Sequence, residues 1–338
     1  MDIINYLYPF LITFIITLIL IKYPVAISIP NNRGLHDAPI ATSGGLAVFL
    51  GIAAIFISII NINLIILITM AGIMTLTGLL DDKYSLSVAL RFVIQLMLFS
   101  VFLIYYPTEM TQNIFVFIIF VFICSYIINI FNFMDGIDLL ATLQTIYTFS
   151  ALQIILYDDI SVIPNLMNLM NYTIATLVCF SIFNKSPAKI FLGNSGSYLL
   201  GFLIVIILYF ITTANSSNII PVLIIFTAFL CDSTYTLVAR FIDKFRSDNS
   251  SFYRKVINSL KILSNPHKTH LYQKLVEKHH HHGKVNLFIM SYNLLWCLPL
   301  AFLVLKLENY SIYLLTLSYI PYILWCYSVR AGVAIDND

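Results

Sequence analysis

Eleven runs of mainly apolar residues succeed one another along the chain, near 4–22, 44–61, 63–80, 90–106, 113–131, 139–157, 170–184, 197–213, 219–241, 287–305 and 309–328. Most approach the roughly 20 residues that a helix needs to cross about 30 Å of hydrocarbon. The pattern therefore predicts an all-α, polytopic transmembrane helical bundle of 10–11 helices, the seventh run being short and polar at its ends. The longest polar interval, 242–286, carries an apolar stripe of Phe252, Val256, Ile257 and Leu260 beside Arg254, Lys255 and Lys261. Such a stripe is expected of a short helix lying on an anionic membrane surface. The chain reads as one integral membrane domain over 1–338, with 242–286 as a loop of that domain.

Composition supports lipid as the solvent. Of 338 residues, 60% are hydrophobic and only 10% charged, and the mean hydropathy is +0.91, which excludes a water-soluble domain. The first run has no basic start and no small-residue cleavage site, so it is expected to persist as a helix. The five cysteines all fall in apolar runs without metal-ligand spacing and read as buried apolar residues. A net charge of +2 gives no reason to expect nucleic acid. Charge placement is more informative: with alternate loops on opposite sides, seventeen of the eighteen Lys and Arg residues share one side, Lys306 being the exception. The positive-inside rule makes that side cytoplasmic, and 242–286 then becomes a cytoplasmic loop.

Four constellations fall on the same side. Asp81-Asp82 ends the third run, with Arg91 and Gln95 following; paired carboxylates suit a hard cation such as magnesium, or proton abstraction. Asn129, Asn132, Asp135, Gly136 and Asp138 end the fifth run. The two amides share a helical face leading to Asp135, and the glycine permits close backbone approach, which points to a ligand pocket. Asn184 to Ser197 includes Lys189, Phe191, Gly193 and Asn194. This glycine- and serine-rich turn before a helix offers free amides to an anion, phosphate being the expected guest. Finally, His267 and His270 stand three apart in the long loop; no third ligand of the usual kind lies near them, which favours anion contacts over zinc. The run His279–His282 is read as native sequence.

Taken in order, Asn32-Arg33-Gly34-Leu35-His36 with Gly44-Gly45, Asp81-Asp82, Asn-x-x-Asn-x-x-Asp-Gly-x-Asp, Phe-Leu-Gly-x-x-Gly-Ser, Asp232-x-x-Tyr235-Thr236 and His-x-x-His resemble the polyprenyl-phosphate sugar-1-phosphate transferase superfamily. That group includes the phospho-MurNAc-pentapeptide translocase and the GlcNAc-1-phosphate transferases. The resemblance implies a membrane enzyme with a cytoplasmic active-site cleft in the bacterial inner membrane. Its donor would be a UDP-sugar carrying N-acetylhexosamine or a 6-deoxy relative, its acceptor undecaprenyl phosphate, its by-product UMP, and its cofactor Mg2+, with Mn2+ as a substitute. It also implies roles. Asp81 and Asp82 would engage the lipid phosphate, one as base; Asp135 and Asp138 with Gly136 would shape the nucleotide site; Phe191 would stack near uracil. Asn129, Asn132 and Lys189 would belong to the same substrate pocket, His267 and His270 would contact diphosphate or sugar, and Asp82, Asp135 and position 194 would ligate the metal. The resemblance leaves a homodimer open.

One departure concerns chemistry. Relatives carry Asp where this chain has Asn194, and a neutral amide is a weaker ligand for a divalent cation. Three readings follow, an engineered inactivating substitution, a natural variant compensated by another carboxylate, or a protein that binds substrate without turnover, and reduced activity is expected. Ile40-Ala41-Thr42-Ser43 lacks the proline and basic residue common before the double glycine, and nothing is carried over there. Phe133-Met134 and His-x-x-His-Leu-Tyr-Gln favour the branch initiating surface glycans over the peptidoglycan translocase. A membrane transporter is the alternative class, but it would show repeat symmetry and broken helices at the midplane.

Overall fold

The computed structural model describes residues 4–30, 38–57, 59–263, 265 and 267–333. The expected motif at Asn32–His36 lies outside these residues. In chain order the described helices are α1 (Ile4–Lys22), α2 (Gly44–Ala53), α3 (Ile62–Tyr84), α4 (Val88–Tyr105), α5 (Ile114–Met134), α6 (Leu140–Ile155), α7 (Tyr157–Ser161) and α8 (Leu166–Asn184). They continue with α9 (Gly193–Ala214), α10 (Ile219–Ile225), α11 (Thr227–Ser247), α12 (Phe252–Leu263), α13 (Leu271–His279), α14 (His282–Tyr292), α15 (Leu298–Lys306) and α16 (Ser311–Ser328).

Every apolar run carries helix among the described residues, as expected of a polytopic helical membrane protein. Among the described residues six helices are long and apolar enough to cross a membrane, or seven if one bent pair counts as a single span. The difference from 10–11 has local causes. Three apolar segments are shorter, Tyr6–Lys22, Gly44–Ile57 and Leu140–Ile155, and α2 passes into a 3₁₀ turn at Ala54–Ile57. The run 219–241 breaks at Phe226, where the pair formed by α10 (with the turn before it) and α11 is bent by 74°.

The described residues of 4–30 and 38–219 pack as one compact unit and those from Ile220 onward as a second. In the first, α9 is the central helix, with Leu199, Leu200, Phe202, Ile204 and Ile206 buried against α2, α3 and α5. Small residues let backbones meet there, as usual in lipid-soluble bundles. A Cβ on Gly78 of α3 would stand 2.2 Å from the carbonyl oxygen of Asn194, and one on Gly45 of α2 would stand 2.0 Å from the amide of Gly196. Gly78→Ala is expected to lower stability by about 1–3 kcal/mol, the usual cost of overpacking, because the obstacle is backbone. Gly72→Ala, whose added carbon meets the ring of Phe49 at 2.9 Å, should cost less because a side chain can turn aside. Thermal unfolding in detergent checks the order, and equal midpoints would contradict it.

A two-residue ribbon pairs β1 (Ile27–Ser28) with β2 (Ile40–Ala41), antiparallel, Ile27 opposite Ala41. Ala41 bridges onward to Ile190. Phe191 N–H donates to Ala41 O at 2.8 Å, and the Gly44 and Gly45 amides donate to Phe191 O and Leu192 O at 3.0 and 2.9 Å. The strand before α9 is thereby stitched to the start of α2. Helix α9 begins at Gly193 instead of 197, so Asn194 to Ser197 form its first turn rather than a turn before it.

In the second unit α11 packs on α12 and α16, α15 on α16, and α13 on α14.

Candidate active site

The first unit gathers the ends of α3, α5 and α9. Asp81, near the C-terminus of α3, is only 5% exposed and accepts four hydrogen bonds. Its Oδ2 receives Tyr198 OH at 2.8 Å, Arg91 Nη1 at 2.9 Å and Asn194 Nδ2 at 3.0 Å, while Oδ1 receives Leu86 N–H at 2.9 Å. Arg91 also reaches Tyr198 OH at 3.3 Å. A carboxylate so occupied is poorly disposed to take a substrate proton. Its geometry is that of a positioning group.

Asp82 meets the N-terminus of α9: Asn194 N–H donates to Oδ1 at 2.9 Å and Ser195 N–H to Oδ2 at 3.2 Å. A helix N-terminus attracts an anion through its free amides and dipole. The sequence pointed to phosphate as that anion, and in the structure it is the Asp82 carboxylate. Asn194 also has a different task from the one its motif suggests. Its amide nitrogen faces Asp81, because a carboxylate can only accept, so the side chain ties α9 to α3.

Asp135 caps the C-terminus of α5. Among the described residues its carboxylate receives no hydrogen bond, and burial together with Asp82 and Asp138 holds it well above the usual carboxylate range. Asp138 is buried and Gly136 exposed. Asn129 Nδ2 donates to Gln95 Oε1 at 3.0 Å and to Ser125 O at 2.8 Å, and Asn132 Oδ1 accepts from Ser197 at 3.2 Å. Both amides thus lock α5 to its neighbours. Lys189 is exposed and Phe191 half-buried, the latter on the backbone stitched to β2.

Three further side chains contribute: Arg91 and Asn184, which the sequence placed in its constellations without a role, and Tyr198, which belonged to none. Tyr198 and Arg91 complete the shell of Asp81. Asn184, buried at the end of α8, donates to Ile190 O at 2.9 Å and accepts Leu139 N–H at 2.9 Å, joining the Asp135–Asp138 loop to the strand before α9. A polar residue ending an apolar helix was the available signal for Asn184.

Among the described residues no three His, Cys, Asp or Glu side chains form a ready-made cage. A magnesium ion, however, is usually held by one or two carboxylates and completed by water and substrate phosphate. Asp135, uncompensated and beside Asp82, fits that requirement; Asn194, committed to Asp81, fits it less well.

The histidine motif lies in the second unit. Buried Asp232 of α11 accepts Leu271 N–H at 3.0 Å, His270 Nδ1 at 3.1 Å and Thr236 Oγ1 at 3.3 Å on Oδ1, and Tyr272 N–H at 3.2 Å on Oδ2. It therefore receives the N-terminus of α13 as Asp82 receives that of α9. His270, buried, is held by this carboxylate, and the His267 ring stacks on it with centroids 4.9 Å apart. Burial, then His270 and Arg240, hold the His267 imidazole down at about 3. It is thus neutral near pH 7 when no anion is bound beside it. Lys274 donates to the carbonyls of Val329, Arg330 and Val333 at 3.2, 2.6 and 2.9 Å.

Fold and site define a multi-pass helical membrane protein with an acidic centre at its helix ends. Glycosyl transferase family 4 matches residues 63–212, the stretch that holds Asp81, Asp82, Asp135, Asp138 and Asn194. The chain is 29% identical over 295 residues to a probable undecaprenyl-phosphate N-acetylglucosaminyl 1-phosphate transferase of Bacillus subtilis (strain 168), covering 81% of this chain and 76% of that protein. It is 31% identical over 215 residues to an undecaprenyl-phosphate alpha-N-acetylglucosaminyl 1-phosphate transferase of Yersinia pestis, and 30% identical over 212 residues to that of Escherichia coli (strain K12). Each of these two alignments covers 57% of either chain, little more than half the length of those relatives. The chain belongs to the polyprenyl-phosphate N-acetylhexosamine-1-phosphate transferase superfamily and is an enzyme of the transferase class.

Proposed function

We propose that the chain transfers an N-acetylhexosamine 1-phosphate from a UDP-sugar to undecaprenyl phosphate at the cytoplasmic face of the bacterial inner membrane. UMP is released, and the product is the first lipid-linked intermediate of a surface glycan. The observation that carries this reading is Asp82 seated on the first turn of α9, with Asp135 at the end of α5 near enough for Asp82 and Asp138 to act on its carboxyl. The names of the relatives favour N-acetylglucosamine as the sugar. In the reaction a phosphate oxygen of the acceptor attacks the sugar-linked phosphorus, and the bond to the UMP oxygen breaks. Phosphoryl transfer of this kind asks for positioning and charge neutralisation. Asp82 and Asp135 would hold Mg2+, which when bound supplies that neutralisation. Asp81, through Arg91, Tyr198 and Asn194, keeps α3 and α9 in register so that Asp82 stays in place.

Magnesium-dependent release of UMP from UDP-N-acetylglucosamine with undecaprenyl phosphate tests the reading, and no release from any UDP-N-acetylhexosamine would overturn it. In the same assay Asn194→Asp is informative. It restores the family's carboxylate but sets it beside Asp81, where the amide now stands at 3.0 Å. Higher UMP release by Asn194→Asp at saturating magnesium is expected, with lower stability when magnesium is withheld. Equal rates would show that the amide does not limit activity.

A further inference from the structure

Helix α12 is turned the opposite way from a helix on a water-soluble protein. About 100° separates successive residues around a helix, so Phe252, Val256 and Leu260 share one face, with Tyr253 beside them. Phe252 is 75% exposed, Tyr253 74% and Leu260 54%. The side facing the protein is the polar one. Ser259 is buried, Asn258 Nδ2 donates to Asp248 Oδ2 at 2.7 Å, Lys255 Nζ lies 5.8 Å from the Phe245 ring centroid, and the Ile262 carbonyl accepts from Arg240 Nη2 at 2.7 Å. Polar contacts hold the helix on α11 while Phe252, Tyr253 and Leu260 of its apolar arc are left uncovered, with Val256 and Ile257 half-buried between them. Arg254 and Lys261, both exposed, border that arc.

The depth of the helix follows from α11. A cavity of about 790 Å³ runs along α11 and α16 past Leu230, Val238, Ile242 and Ile323, and its lining turns charged at Asp243 and Arg246. Apolar lining gives way to charge where hydrocarbon gives way to headgroups. Helix α12 packs at that level, with the Phe252 ring 5.9 Å from that of Phe245.

We propose that α12 is an interfacial anchor that docks on an anionic bilayer surface, its Phe252–Val256–Leu260 face among the upper acyl chains and Arg254 and Lys261 against lipid phosphates. An uncovered apolar face bordered by cations matches that partner in both polarity and charge. The anchor would hold the stretch leading to His267 and His270 at the membrane surface, since Arg240 also binds the Asn265 carbonyl at 3.1 Å. This inference does not depend on the reaction proposed above.

The test uses the full chain in nanodiscs, with Phe252→Trp and Leu260→Trp as fluorescent reporters and the signal of Trp296 and Trp325 subtracted using the parent protein. In discs rich in phosphatidylglycerol, bromine on the acyl chains should quench both reporters and iodide should not. Glu277→Trp, on exposed α13 surface, should show the reverse. Phosphatidylcholine alone, or the pair Arg254→Glu and Lys261→Glu in anionic discs, should lower bromine quenching at least about twofold. Iodide quenching at 252 and 260 would overturn the proposal. Protection from both quenchers would also overturn it, by showing that protein covers the face, and so would bromine quenching indifferent to lipid charge.

Discussion

Asp81→Ala is expected to lower stability by about 2–4 kcal/mol and to abolish UMP release. Removing one partner of a buried ion pair typically costs about 3–5 kcal/mol, because the other charge stays buried and unpaired. Here the Arg91 side chain is 25% exposed, and water recovers part of that cost. The remaining donors do not share this relief: Tyr198 is buried, and the Leu86 amide and Asn194 side chain lose their acceptor too. Loss of activity follows from position, since Asp81 gathers Arg91, Tyr198 and Asn194 together and so joins α3 to the part of α9 that seats Asp82. Thermal unfolding in detergent beside the UMP assay checks both effects, with Leu80→Ala, at a half-exposed neighbouring position, expected to change stability by no more than about 0.5 kcal/mol. A stable but inactive Asp81→Ala would assign Asp81 to the chemistry instead of the scaffold.

Asp232→Ala should be at least as damaging, at about 3–5 kcal/mol. Its carboxylate is inaccessible to water and serves four donors, two of them backbone amides opening α13. A buried donor left unmade costs about 1–3 kcal/mol, and coupled losses in one network do not simply add. The local consequence should be more specific than the global one. Without the carboxylate, α13 loses its N-terminal anchor and His270 its orienting partner, so cleavage by trypsin after Lys268 or Lys274 should accelerate relative to cleavage after Lys185. Unchanged proteolysis would show that the turn is held by other contacts, of which the bond from Gly332 N–H to Thr269 O at 2.8 Å is the first candidate.

Hydropathy made the helices legible because lipid imposes a strong and simple rule on long apolar runs. It could not separate a span from a helix that stops early, as at Gly44–Ile57, since three or four residues decide that. Carboxylates and amides at helix ends were legible too, because each costs free energy there unless it is used. What stayed hidden was partnership. Tyr198 looks like any aromatic residue of an apolar helix, and its role depends on Asp81, 117 positions away. The turn at Asn194–Ser197 was recognised as an anion site, but its occupant comes from another helix, which spacing cannot reveal. The apolar arc of α12 was visible, whereas its outward aim depended on which side Asn258 and Arg240 would hold.

The bend between α10 and α11 has a consequence of its own. In hydrocarbon an unpaired carbonyl costs several kcal/mol, so a broken helix usually draws in water, and such wet breaks flex. At this one the Ile224 carbonyl accepts Thr227 Oγ1 at 2.7 Å, and the Leu223 carbonyl accepts Tyr319 OH at 3.3 Å. Two carbonyls at the break are thus satisfied from within the protein, which braces the elbow and gives α11 a set heading from which Asp232 and Arg240 project.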